Sequence, residues 1–501
     1  MSRIPVALTL LAFLLVLPRP VTAQRTFGVV WDVPEDTGEA LNQLDDFKDL
    51  KITYLELDEL VSDALWKEIQ QRNFSVFIQV PVQYPVVETF ARTDSALAQI
   101  YQRFLTHYQG KQVEAIGAFA YGQTHDPSFS EAVKPFTAEL SSTLSVPLYY
   151  KEWNAVGHPT STLFDFTLTR VNVDAGFTSS SSPDYRLPAS GAYLYHPSPS
   201  LASKMAPLKW FFQTTRDTPD AILFFDSGWL LNFVEVHQPV QQILVEHATF
   251  QDAVFPLPRE RMPSGHSHSI IVLILVLVWG TVALNYSFMP TYRRSLFRFF
   301  HSHRFFIEDV IKRHIRSVVP SLLLLIQHSI LSGIFLYCAA STFFSRAGLE
   351  VFYHYFPTLS LFGNEYFSFF VLGLITAFLF QTVSILWLYF ANRSINYLSQ
   401  ISILYSWPFH LNLVITTIIV TMLMAGANAY LLSIFFILFT VVLLLDFPVT
   451  AYDAGQNVNS YRGLYAMGTI GLYTLLLAIA LSAIFTNSYL LNIMDLAIAI
   501  T

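Results

Sequence analysis

The stretch IIVLILVLVWGTVALNYSF, residues 270–288, divides the chain. Its 19 residues carry no charge. At about 1.5 Å rise per residue they are long enough to cross a hydrocarbon core of about 30 Å. Behind this stretch, residues 292–316 carry Arg293, Arg294, Arg298, Arg304, Lys312, Arg313 and Arg316 against only Glu308 and Asp309. Positive charge beside a span stays on the cytoplasmic side, so the helix is expected to run from outside to inside. Residues before it are then exported, and most of those after it lie in the bilayer.

The leading end agrees with that orientation. Arg3, the apolar run Pro5 to Leu17 and the small-residue exit Val21-Thr22-Ala23 read as a signal peptide over residues 1–23. A retained anchor helix is the alternative, and both readings export the same half. The chain is 53% hydrophobic and 13% charged, with most acids and bases before Ser269. A net charge of −7 without a basic stripe in the exported half argues against nucleic acid as a partner. The single cysteine, Cys338, falls in a membrane stretch, so the exported half has neither disulfides nor a thiolate metal site.

Residues 24–255 alternate between strand-like and helix-like segments. Strands are expected at 26–33, 52–58, 74–80, 113–121, 146–153, 164–173, 191–196 and 221–227. Helices are expected at 37–51, 62–72, 93–108, 128–144, 201–216 and 240–250. Eight strands with this spacing predict an α/β fold, a (β/α)8 TIM-barrel-like domain. A doubly wound sheet competes, but WDVPEDTG after the first strand is no Gly-rich phosphate turn. The irregular part is 154–192, where no good helix separates strands five, six and seven.

Ligands of such barrels sit at the C-terminal strand ends. Those ends supply carboxylates at Asp32, Glu56, Asp58, Glu152 and Asp226, together with Gln79, Gln123, Lys151, Arg170 and His196. Alternation in ITYLELD turns Leu55 and Leu57 to the helices and Glu56 and Asp58 to the barrel. By the same rule Asp32 shares the inner face with Gly28 and Val30, and Trp31 packs outward. Rings at or near strand ends (Tyr121, Tyr149, Tyr150, Trp153, Tyr193, Tyr195, Trp229) suit a sugar, which has apolar C–H faces and a rim of hydroxyls. Rim solvation and pairing with Lys151 and Arg170 is the plainer reading of the acids. His125, His158 and His196 show no ligand spacing, so no metal and no cofactor are expected.

The order of elements, the ring of aromatics and the step LNQLDDFKDLKITYLEL (residues 41–57) resemble the catalytic barrels of glycoside hydrolases, above all the large clan of retaining β-glycosidases. That resemblance implies a carbohydrate or glycan as partner. It also implies an acid/base Glu, usually after Asn, at the end of strand four and a nucleophile Glu at the end of strand seven. Here those ends read Ala120-Tyr121-Gly122-Gln123 and Tyr195-His196-Pro197. Glycoside hydrolysis needs two carboxyls about 5–5.5 Å or about 6.5–9.5 Å apart. Glu56 or Asp58 with Glu152 across the mouth, or Asp32 with Asp226 on neighbouring strands, are the pairs left. Catalysis is therefore assigned to Glu56, Asp58 and Glu152 if it occurs, with a pseudoenzyme favoured. Ligand contact is assigned to Asp32, Tyr121, Gln123, Trp153, Tyr195, His196, Asp226 and Trp229.

Residues 256–268 form a linker, and the polar loop GFTSSSSP (176–183) reads as a spacer or a gate. The half at 269–501 is expected to be an all-α domain of six spans: 270–288, 319–340, 367–390, 404–424, 430–445 and 464–485. Between spans one and two, 292–316 has an apolar stripe and reads as an amphipathic helix in the inner interface. This half is loosely similar to multispan domains of the Yip1-like kind. The whole reads as a multi-pass protein of the cytoplasmic (inner) membrane, partnered by the lipid bilayer and by a glycan at its outer face. The rivals are an assembly scaffold binding other envelope proteins, and a transporter or lipid-modifying protein with a polar cavity around His328 and His410.

Overall fold

The computed structural model describes residues 26–91, 95–153, 163–172, 191–197, 201–215, 221–237, 239–248, 269–315, 317–361, 366–458 and 461–499. The expected signal peptide, His158, the loop 176–183 and the linker 256–268 lie outside the described residues. The chain divides into two compact units, Met1–Gly265 and His266–Thr501.

The first unit is a closed parallel barrel whose strands pair in chain order, with β8 returning to β1. The strands are β1 Thr26–Val30, β2 Ile52–Leu57, β3 Ser75–Gln79, β4 Ala115–Ala120, β5 Leu148–Trp153, β6 Phe166–Asn172, β7 Ala192–His196 and β8 Ile222–Asp226. Around them run α1 Thr37–Asp49, α2 Asp63–Gln71, α3 Val87–Ala91, α4 Ser95–Tyr108, α5 Pro127–Leu144, α6 Met205–Thr214, α7 Ser227–Val236 and α8 Pro239–Ala248. Short polar caps start several of these helices. Asp36, Ser62, Asp126 and Asp226 each accept a backbone N–H from the first turn of α1, α2, α5 and α7. The sheet is continuous at its last strands, with β6 pairing with both β5 and β7.

Alternation sorts the side chains into two cores. Phe27, Val29, Trp31, Leu55, Leu57, Val76 and Ile78 lie between sheet and helices. Phe77, Ala115, Tyr149, Leu168, Ala192, Leu194 and Phe224 fill the lumen. The lumen packs because large rings on some strands meet no side chain on others. A Cβ on Gly28 would lie 2.4 Å from the Phe224 ring, and one on Gly117 would lie 2.1 Å from Gln79 Oε1. In β4 the register slips against β5 between Gly117 and Ala120. Ala118 and Phe119 therefore both join the outer core and Ala120 turns inward.

Among the described residues the second unit is all-α, and six of its helical segments are long and apolar enough to cross a membrane. They are α9 Ser269–Phe288, α12 Val319–Phe343, α14 Phe367–Ala391, the pair α15 Leu398–Ser406 and α16 Phe409–Met424 broken at Trp407-Pro408, α17 Ala429–Gly455 and α18 Arg462–Thr486. Several expectations need correction here. The fifth span is no short helix, because α17 continues through Pro448 and encloses Asp446, which is 2% exposed. The loop 341–366 contains α13 Arg346–Tyr355, which packs against a terminal helix α19 Ser488–Ala499. The basic segment forms two helices, α10 Pro290–His301 and α11 His303–Ile311. Tyr292, Phe306, Ile307 and Val310 sink into a core with Leu388, Trp407 and Phe447, so the segment docks on the bundle and does more than rest on lipid.

Candidate functional site at the barrel mouth

A cavity of about 190 Å³ lies inside the C-terminal strand ends, lined among others by Asp58, Gln79, Gln83, Tyr121, Lys151, Arg170, His196 and Asp226. Beside this lining, Glu56 is fully buried. Tyr149 Oη donates to Glu56 Oε1 at 2.6 Å, and Lys151 Nζ lies 3.0 Å from Glu56 Oε2. Burial by itself pulls the Lys151 ammonium down. The Glu56 carboxylate outweighs that and holds it above the ordinary lysine value. Burial first, and the same carboxylate second, push the Tyr149 phenol well up, which keeps it a donor.

Towards the rim, the Arg170 guanidinium lies 3.7 Å over the Trp153 ring and 5.7 Å from Tyr121. Tyr121 reaches this place from a left-handed backbone, φ 58°. Crowding at the mouth, and then the Arg170 charge, hold His196 well below the ordinary histidine range. The imidazole is therefore neutral at pH 7. Gln79 donates to Val80 O at 2.9 Å, while its Oε1 is buried with no hydrogen-bond partner among the described residues. The site thus offers donors on Lys151 and Arg170 and acceptors on Asp58 and Asp226.

The expected residues divide. Glu56, Asp58, Tyr121, His196 and Asp226 come together at or just beside the cavity. Asp226 also accepts the Trp229 N–H at 2.9 Å, capping α7. Glu152 does not face Glu56 or Asp58 across the mouth. With Tyr149 and Lys151 turned to the lumen, Glu152 points outward, where Tyr150 Oη and Thr169 Oγ1 donate to it at 3.1 and 2.9 Å. Burial there raises its pKa, against the lowering effect of those hydrogen bonds. Tyr195 likewise faces the helices, packed on Phe211 and Trp229 at 5.1 and 4.7 Å between ring centroids. Trp229 sits in the first turn of α7 and donates to Ala202 O at 2.8 Å, away from the mouth. Asp32 lies past the end of β1 and is exposed, its N–H donating to Ser227 Oγ. Gln123 is buried and accepts the Val87 N–H at 3.4 Å, bracing a loop. Trp153 is inside, but Arg170 covers one face of its ring.

Gln83, which carries no sequence signal, also lines the cavity. It joins the lining because a parallel bridge to Ala120 extends the sheet past β3. No periodicity marks that bridge. Lys151 and Arg170, expected as rim counterions, are both buried in the site.

Among the described residues no group of His, Cys, Asp and Glu is arranged to hold a metal. In the second unit, the polar cavity expected around His328 and His410 is a space of about 10 Å³. Its histidines are committed. The two His328 ring nitrogens lie 2.7 Å from the Gln381 amide and 3.0 Å from the Asn412 amide, and the ring stacks on Phe409 at 3.7 Å. His410 engages Tyr292 Oη at 2.7 Å and Trp407 O at 2.8 Å. These are helix-to-helix ties in the main.

No family model matches the chain, and no curated protein matches it. The Yip1-like resemblance of the membrane half therefore finds no support. Among solved structures the chain is similar to Ruminococcus gnavus β-glucuronidase, at 10% identity with a TM-score of 0.27. The match covers 43% of this chain and 41% of that one. A likeness this distant carries no argument about activity.

Proposed function

We propose that the barrel is the carbohydrate-recognition module of a multi-pass envelope protein, exported across the cytoplasmic membrane, and that it binds its glycan without cleaving it. The observation that carries this reading is the composition of the mouth cavity. Acceptors at the ends of β2 and β8, Asp58 and Asp226, share about 190 Å³ with donors grouped on β5, β6 and β7, Lys151, Arg170 and His196. Hydroxyls of a sugar both donate and accept, so each finds a complement there. The volume is below the about 300–1,000 Å³ of sites for drug-sized ligands, which suits a single sugar unit at the end of a chain.

Hydrolysis is disfavoured by how the carboxylates are occupied. Glu56 is held by Lys151 and Tyr149, Asp226 caps α7, and Glu152 is on the other face of β5. That leaves Asp58 without the opposed partner that cleavage requires. The first apolar span and the basic segment after it support the orientation. A glycan panel presented to the full chain in lipid nanodiscs tests the reading. Retained glycans that are lost in Asp58→Asn and Arg170→Gln, with no reducing ends released, are expected. Retention of none, or retention unchanged in both variants, removes it and favours a protein partner.

A further inference from the structure

At the end of the first apolar helix, a second and larger cavity of about 610 Å³ opens between the last turn of α9 and α10. It is lined by Tyr286, Ser287, Pro290, Arg293, Arg294, Phe297 and Arg298. Helical spacing explains why these residues meet. Arg293 and Phe297, and likewise Arg294 and Arg298, are four apart and lie along one face of α10. The opposite face is anchored, since Tyr292 and Ser295 are buried and Tyr292 bonds His410 on α16. The basic face is therefore held towards the cavity by the packing of the other.

Three arginines line the space, and they are not equally compensated. Arg298 pairs with Asp309. Among the described residues neither Arg293 nor Arg294 has a carboxylate partner, and Arg293 makes only a cation–π contact with Tyr286, 5.5 Å from the ring centre. Phe288, Phe297 and Phe300 are exposed beside them at 78%, 57% and 48%. An uncompensated pair of guanidinium groups next to bare rings, where an apolar helix of membrane length ends, matches one chemistry. It has an anionic phosphodiester for the arginines and acyl chain for the rings.

We infer that this cavity is a binding site for the phosphate headgroup of an anionic phospholipid, gripped by Arg293 and Arg294 with its chains along Phe297 and the α9 surface. The site is independent of the barrel and of any glycan. Its role is to fix the depth and rotation of α9 and α10 at the membrane surface.

The test uses the full chain in nanodiscs of phosphatidylcholine doped with phosphatidylglycerol, with bound lipids counted by native mass spectrometry after transfer to detergent. Wild type retains phosphatidylglycerol over phosphatidylcholine. Arg293→Gln/Arg294→Gln weakens that retention about 25-fold, about fivefold per arginine, or about 1 kcal/mol each. Arg304→Gln, on an exposed residue outside the cavity, leaves it within twofold. The Arg293→Lys/Arg294→Lys pair keeps the charge and most of the selectivity, and it carries the test if the Gln pair is not monodisperse. Soluble phosphate at millimolar concentration does not displace the lipid. Equal loss in Arg304→Gln, no loss in the Gln pair, loss of selectivity in the Lys pair, or displacement by free phosphate overturns the inference.

Discussion

Replacing Lys151 with Met leaves Glu56, which has no solvent exposure, with only the Tyr149 hydroxyl against its charge. Breaking a buried ion pair by removing one partner costs about 3–5 kcal/mol. For a domain of this size 1 kcal/mol moves the melting temperature by about 2–4 °C, so a fall of about 6–20 °C is expected. Glu56→Gln strands the Lys151 ammonium and lowers the melting temperature similarly. The double variant removes both charges, so its loss is smaller than the sum of the two by about 0.5–3 kcal/mol. The pair also has a pH signature. Its folded-state pKa is raised at Lys151, so its contribution is complete below the ordinary lysine value and fades as pH rises through the raised one. Wild type should lose barrel stability in that strongly alkaline window, and Lys151→Met should not show the step. Near-ultraviolet circular dichroism melts of the full chain report all of this. A Lys151→Met melt within about 2 °C of wild type, or strict additivity in the double variant, would refute the assignment.

Other expectations follow from single residues. Glu152 has a folded pKa raised by burial, so its ionisation opposes folding: stability is full at acid pH and declines as pH rises through the raised value. Glu152→Gln should therefore melt higher than wild type at pH 7, with the gap closing below about pH 4; a gap independent of pH counts against this placement. Gly117→Ala forces a methyl into Gln79 Oε1 and the Tyr149 ring. That overpacking should cost about 1–3 kcal/mol in the same melts and abolish glycan retention. In the membrane half, a Cβ on Gly333 would lie 2.7 Å from Phe370 O, whereas one on Gly280 meets nothing within 4 Å. Gly333→Val should broaden the size-exclusion peak of the detergent-solubilised chain and Gly280→Val should not, as expected where α12 and α14 touch through small residues.

How far the sequence led depended on whether each strand marked its two faces. ITYLEL alternates cleanly, and Leu55 and Leu57 face the helices while Glu56 faces the lumen. YYKEW has a tyrosine on either face, so nothing in it says whether Lys151 or Glu152 points inward. The structure puts Lys151 there and leaves Glu152 outside. AIGAFA is apolar throughout, which hides the slip that sends Ala118 and Phe119 to the same side. The place of Tyr195 at a strand end suggests a ligand platform, yet Leu194 holds the inner position and Tyr195 the outer one. In the membrane half, the expected span 430–445 stops just before Asp446, a residue type that is costly in a bilayer. The helix instead runs past it, and the residue is buried against neighbouring helices.

On the proposed function, the eight strand tips hold a sugar. Hydrogen–deuterium exchange of the full chain, with and without a glycan retained in the panel, tests it most directly. Protection concentrated in residues 79–83, 120–121, 151–153 and 194–196 is the predicted result. Protection confined to other segments, or no change on adding the glycan, would contradict it.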